Sequence, residues 1–209
     1  SDLHEGHFED ALPTLAQCDA ILIVGDLVDR HAKRTNGYDN AVRFLNEAPD
    51  IAPTFYAIGN HEWKFPQREE YWPLALKSRV RVLDNTYTVF GGVVLGALSS
   101  APKTEIRPEF LADMADQPGY KLLMCHHPEY YPLYIRPLPI RLTLSGHAHG
   151  GQFRLPGIGG LFAPGQGILP KWTSGFYFDD RLLVSRGVTN ATWAPRINCA
   201  CEIIMLHLQ

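Results

Sequence analysis

The chain has 209 residues, enough for one sizeable core, and its 45% apolar and 20% charged residues are ordinary for a globular protein. A formal net charge of −3 gives no basis for generic nucleic-acid binding, so no specific nucleic-acid partner is expected. No apolar run approaches the roughly 18–20 residues that span a bilayer, and neither a signal peptide nor a composition break is read, so residues 1–209 are taken as a single domain.

Short apolar runs end repeatedly in polar turns. Ala20–Val24 reads as a buried strand stopping at Gly25-Asp26, and YDNAVRFLNEA suits a short amphipathic helix. TFYAIGNHE is a second strand with its turn, and EEYWPLAL reads as a helix interrupted near Pro73. RVRVLDN, YTVF and GVVLGAL follow as three strands, and PEFLADMA as a helix opened by Pro108. YKLLMCHHP and RLTLSGHAH are again strand-then-turn units. A Gly/Pro-rich stretch runs from Gly150 to Pro170, and FYF, RLLVSRG and CEIIMLHL supply closing strands. Cys18, Cys125, Cys199 and Cys201 show no CxxC spacing and are expected to be reduced, mostly buried thiols.

Five polar turns carry the chemistry: Asp2-Leu3-His4, Gly25-Asp26-Leu27-Val28-Asp29, Gly59-Asn60-His61-Glu62, His126-His127-Pro128 and Gly146-His147-Ala148-His149. Each alone has a bland explanation; Asn-His-Glu, for example, can cap a helix. All five hanging from strand ends is a different matter, because open α/β sheets place their ligands there. Carboxylate, imidazole and amide without thiolate suit a borderline divalent ion such as Mn, Fe or Zn. Two such ions about 3.5–4 Å apart can clamp the attacking and leaving oxygens of a phosphoryl displacement. The chain opens on Ser-Asp-Leu-His without the apolar run such a turn normally follows, which leaves room for an upstream signal or anchor.

The series D-x-H, G-D-x-x-D, G-N-H-E, a lone His and G-H-x-H resembles the calcineurin-like metallophosphoesterases, with every motif intact between residues 2 and 149. GHAHGGQFRLP, LLVSRG and CEIIMLHL extend the likeness to the bacterial YkuE/YaeI-like phosphodiesterase branch. The resemblance implies a four-layer α-β-β-α sandwich and a binuclear centre, manganese favoured. One metal would be held by Asp2, His4, Asp26 and His149, the other by Asp26, Asn60, His126 and His147, with Asp26 bridging. Hydroxide held between them would attack phosphorus. His61 would act as general acid at the leaving oxygen, with Asp29 orienting it and His127 a neighbour near substrate.

GDLVDR and GNHE also resemble the phosphoprotein phosphatases, in which Arg30 would grip phosphate, so a phosphomonoesterase is the alternative. A nuclease and a non-catalytic scaffold are less favoured, since charge is low and no motif is broken. EYYPLYIRPLPIRL and GIGGLFAPGQGILPKWTSGFYF are either ordinary packing or a greasy rim for a lipid-linked, cell-envelope phosphodiester. A cytoplasmic or peripheral-membrane location is expected.

Overall fold

The computed structural model describes residues 1–31, 37–189 and 195–208. Helix α1 (Leu12–Leu15) leads into β1 (Ile21–Val24), α2 (Asp39–Ile51), β2 (Thr54–Ala57), α3 (Asn60–Trp63), α4 (Arg68–Lys77) and β3 (Arg81–Leu83). These strands form a parallel sheet in the order β1-β2-β3. Next come β4 (Thr86–Phe90), β5 (Val93–Leu98), α5 (Phe110–Asp116), β6 (Tyr120–Cys125), a π-turn at Tyr131–Ile135 and β7 (Leu142–Ser145). Two hairpins, β8 (Arg154–Leu155) with β9 (Gly159–Gly160) and β10 (Phe162–Ala163) with β11 (Gly167–Ile168), precede β12 (Gly175–Tyr177) and β13 (Leu182–Val184). The second sheet runs β12-β13-β7-β6-β5-β4, its four inner strands parallel and both edges antiparallel.

The period of 2 along these strands sorts their side chains into two interiors. On β6, Leu122 and Met124 face Val24, Phe55 and Ala57 of the other sheet, beside Leu95, Leu142 and Leu183 of their own. Leu123 and Cys125 face outward and pack with Leu111 and Met114 of α5 and with Tyr131 and Ile135. Ile21, Ile23 and Tyr56 do the same on the first sheet, beneath Phe44, Leu45 and Ala48 of α2 and Tyr71 of α4. The result is the expected four-layer α-β-β-α sandwich. Strands buried on both faces explain why runs such as ILIV and KLLMC are almost continuously apolar.

The structure corrects three local expectations. Helix α4 runs through Pro73 without a break; Pro73 is exposed, as is Glu69, whose carbonyl would have been its partner, so water can serve the freed group. CEIIMLHL forms no strand. It packs instead through Leu206 against the inter-sheet core and through Met205 against Cys18, while Glu202 N–H makes a bond to Gly187 O. The stretch from Gly150 to Pro170 contains the two hairpins, whose two-residue strands are too short to show any periodicity.

Parallel strands also align the site, because Gly25, Gly59, His126 and Gly146 all follow the carboxyl ends of β1, β2, β6 and β7. Gly25 sits where these turns crowd together, at φ 79°, and a Cβ there would fall 2.8 Å from both Gly59 Cα and His126 Nδ1. Gly25→Ala should therefore cost about 1–3 kcal/mol, as overpacking does, and lower metal content together with stability. Urea unfolding and elemental analysis would check this; a wild-type midpoint would show that the turns are not wedged together as described.

Candidate metal centre

The five turns meet in one buried cluster. Asp2, His4, Asp26, His61, His126, His147 and His149 are all buried polar residues. Their ligand atoms fall into three overlapping groups, Asp2-His4-His149, His4-Asp26-His61 and Asp26-His126-His147, each within 4.8 Å. The middle group shares His4 with the first and Asp26 with the last, so the three join into one cluster.

Asp26 divides its two oxygens. Oδ1 accepts the backbone N–H of His61 at 2.8 Å. Oδ2 stands 3.0 Å from His126 Nε2, 3.9 Å from His4 Nε2 and 4.0 Å from His61 Nε2. A single oxygen thus faces the imidazoles of both groups. Asp2 Oδ1 completes the first group, 3.7 Å from His4 Nε2 and 3.6 Å from His149 Nε2.

The donor chemistry fits cations. His126 Nδ1 lies 2.8 Å from the carbonyl of Val24; a carbonyl only accepts, so Nδ1 donates and neutral His126 presents its lone pair on Nε2. That Nε2 is buried without a hydrogen-bond partner, as are both ring nitrogens of His4. Buried polar atoms seldom stay unpaired, and here His4 Nε2 and His126 Nε2 both face carboxylates. Burial raises the Asp2 and Asp26 carboxyls, but the surrounding imidazoles outweigh it and hold both well below the ordinary range. Conversely, burial lowers His126, yet Asp26 and Asp2 lift it to about 10. The cluster therefore demands positive charge at its centre, and a divalent ion meets that demand better than protons do.

The backbone carries strain at the same places. Asp2, His4, Asp26, His147 and His149 all adopt φ between 46° and 65°. For residues other than glycine this left-handed region is sparsely populated, although Asp and His tolerate it, and such strain collects at functional sites.

One supporting residue was hidden in the motif. Glu62, which sequence reasoning treats only as a helix-capping residue, is fully buried and holds two turns at once. Its carboxylate accepts the N–H groups of Asp26 at 2.9 Å, Leu27 at 2.6 Å and Gly59 at 2.8 Å, with Val28 at 3.4 Å. The glutamate of GNHE is therefore the clamp that aims GDLVD. The signal was its fixed place three residues after Gly59.

Around His61, Asp29 Oδ1 lies 3.4 Å from Nδ1 and the backbone N–H of Arg30 donates to Nδ1 at 3.1 Å. Arg30's guanidinium does not join the ligand cluster; its Nε meets His31 Nε2 at 2.9 Å. Asn60 opens α3, and its Oδ1 is 3.3 Å from His127 Nε2. His127, its ring 4.0 Å from that of His147, is lowered to about 3, by burial first and His126 second. Arg196, to which no motif pointed, places a guanidinium nitrogen 3.2 Å from His149 Nδ1. The apolar cavity of about 670 Å³ beside β1, lined by Leu15, Leu22, Leu122 and Leu206, includes none of the clustered ligands.

Residues 1–151 match the family model for calcineurin-like phosphoesterases. The chain belongs to that family. It is 31% identical to an uncharacterized metallophosphoesterase of Campylobacter jejuni over 100% of this chain and 56% of the relative. It is 28% identical to phosphodiesterase YaeI of Escherichia coli over 91% of the chain and 70% of the relative. The uncharacterized metallophosphoesterase YkuE of Bacillus subtilis is 35% identical over 43% of the chain and 31% of the relative. The chain thus spans little more than half the length of the Campylobacter protein. These relatives belong to the bacterial branch that the motifs resembled. No helix among the described residues is long and apolar enough to cross a membrane.

If Glu62 is the clamp, Glu62→Gln should lower stability by about 1–3 kcal/mol, because its amide end would face N–H donors that the carboxylate now accepts. Activity should fall alongside it although no ligand is removed. Chemical denaturation and a phosphodiester assay on the same samples would check this; unchanged stability would remove Glu62 from that role.

Proposed function

We propose that the chain is a phosphodiesterase with a binuclear centre, acting on a phosphodiester or pyrophosphate whose leaving part is amphiphilic. The observation that carries the two-metal reading is the Asp26 carboxylate, with one oxygen facing the imidazoles of two ligand groups. Asp2, His4, Asp26 and His149 would hold one ion and Asp26, Asn60, His126 and His147 the other, with manganese the favoured metal. Bound there, the ions would polarise the phosphoryl oxygen and acidify water near neutral pH.

The chain's own residues supply the rest. Arg30 N–H bound at Nδ1 leaves the proton of neutral His61 on Nε2, the nitrogen that faces the cluster. Asp29 Oδ1, 3.4 Å from Nδ1, flanks the ring on that side and fixes its orientation. His61 is thereby equipped to hand a proton to a departing alkoxide. The diester preference is supported by charge: a monoester dianion asks for more cationic contacts, and Arg30, the cation of the motif turns, is engaged with His31.

Support for an amphiphilic substrate comes from the two aromatic stretches, which the structure divides. Tyr131, Ile135 and Ile140 are core. Leu133, Leu155, Ile158, Phe162, Ile168, Leu169 and Phe176 are exposed, Ile168 at 81%. Several sit on the hairpins, and residues 151–178 contain Arg154 and Lys171 but no acidic residue. Apolar side chains on hairpins without negative charge suit the surface of an anionic membrane.

The test is kcat/KM for diesters of graded leaving-group pKa, with metal content measured on each sample. His61→Ala should keep its metals and lose about 10²–10⁴-fold on poor leaving groups, but much less on nitrophenolate. Equal loss on every ester would discard the acid role, and an emptied metal site would discard the ligand assignment. Faster turnover of a monoester than of its matched diester would return the monoesterase reading. Ile168→Ser with Leu169→Ser should spare soluble diesters yet slow hydrolysis of a lipid diester in anionic vesicles; equal effects on both would contradict the membrane contact.

A further inference from the structure

Glu129, three residues beyond His126, has no place in the mechanism above. Both of its carboxylate oxygens are buried and neither has a hydrogen-bond partner. Leaving a carboxylate in that condition is costly unless something positive or hydrogen-donating completes it. Burial accordingly raises its pKa, against weaker lowering by its own backbone N–H and by His126.

The neighbouring geometry shows what can complete it. Gly165, at the turn between β10 and β11, is held at φ 75°. A Cβ there would lie 2.6 Å from Glu129 Oε1 and 3.5 Å from His147 Nε2. The same small space, kept open by a glycine, therefore lies between the carboxylate and Nε2 of a proposed ligand. The His147 ring makes no hydrogen bond of its own among the described residues, whereas His126 is anchored by Val24 and His61 by Arg30. Metal-bound histidines almost always donate their second N–H to a carboxylate, a carbonyl or water.

We propose that Glu129 is the positioning residue for His147: its carboxylate accepts the Nε2 proton, directly or across one water, and so leaves Nδ1 free for the second ion. This assignment rests on the two-metal reading above. It explains the glycine at 165, since any side chain would fill the space the pair needs. It also explains a carboxylate orphaned beside the cluster. A cation on Nδ1 would make the opposite N–H more acidic and strengthen the bond to Glu129, so the carboxylate is completed only when the ion is bound.

A reversal of sign follows and sets this role apart from a structural one. With metal stripped by chelation, Glu129→Ala removes an unpartnered acceptor and should unfold at the same temperature as wild type or higher. Titrated with Mn²⁺, the same variant should bind one ion normally and the other about 10–100-fold more weakly. Glu129→Gln, which keeps an accepting oxygen, should recover part of that affinity. Calorimetric titration of the three proteins, with unfolding of the stripped forms, reads both quantities. Two normal affinities in Glu129→Ala would overturn the proposal, whether or not KM rises; a raised KM would make Glu129 a substrate contact. A lower melting temperature of stripped Glu129→Ala with both affinities intact would overturn it in favour of plain packing. If wild type itself bound fewer than two ions, the two-metal reading would fall first and this assignment with it.

Discussion

A carboxylate buried to 1% exposure cannot stay ionised without positive charge around it, and the arrangement of this protein follows from that constraint at Asp26. Its backbone is held in the left-handed region, its N–H is taken by Glu62 and its Oδ1 by the main chain of the His61 turn. What remains is one oxygen, aimed into a ring of imidazoles. Every contact that fixes Asp26 also joins two turns, so the electrostatics of the site and the registration of β1 with β2 are one problem. Positive charge at that oxygen resolves it, and the two proposed ions would supply it.

The two interiors of the sandwich supply rigidity in the right place. Residues of β1, β2, β6 and β7 face packed layers on both sides, while their carboxyl ends open onto the turns. Strained φ values at five proposed ligands are affordable only because such strands leave the turns no room to relax. The hairpins after His149 belong to a different regime. They have two-residue ladders and exposed apolar side chains, and they border the metal pocket through Gly165. Substrate selection is best sought there, next to a rigid reaction centre.

Much of this was legible in the residues. The apolar runs gave the central strands, and the turns gave the cluster, because carboxylates and imidazoles at successive strand ends have few other reasons to occur together. What stayed hidden depends on three-dimensional neighbours. Glu62 looked like a helix cap, and only its burial under the Asp26 turn shows what it clamps. Glu129 and Arg196 carry no motif at all. CEIIMLHL has the pattern of a strand, but a ladder needs a partner edge, and there the pattern is satisfied by packing Leu206 on the inter-sheet core and Met205 on Cys18. Pro73 marks a break in most sequences; in α4 it falls on an exposed face that tolerates it.

The central claim, that Asp26 serves two ions through one buried carboxylate, is tested most directly by metal stoichiometry in Asp26→Asn. The substitution keeps the shape and removes the charge that both ions share. Elemental analysis and Mn²⁺ titration should show both sites weakened, with Asp2, His4 and His149 unable to retain a full ion on their own. Full two-metal occupancy in Asp26→Asn would contradict the account, and loss of one ion with the other untouched would confine Asp26 to a single site.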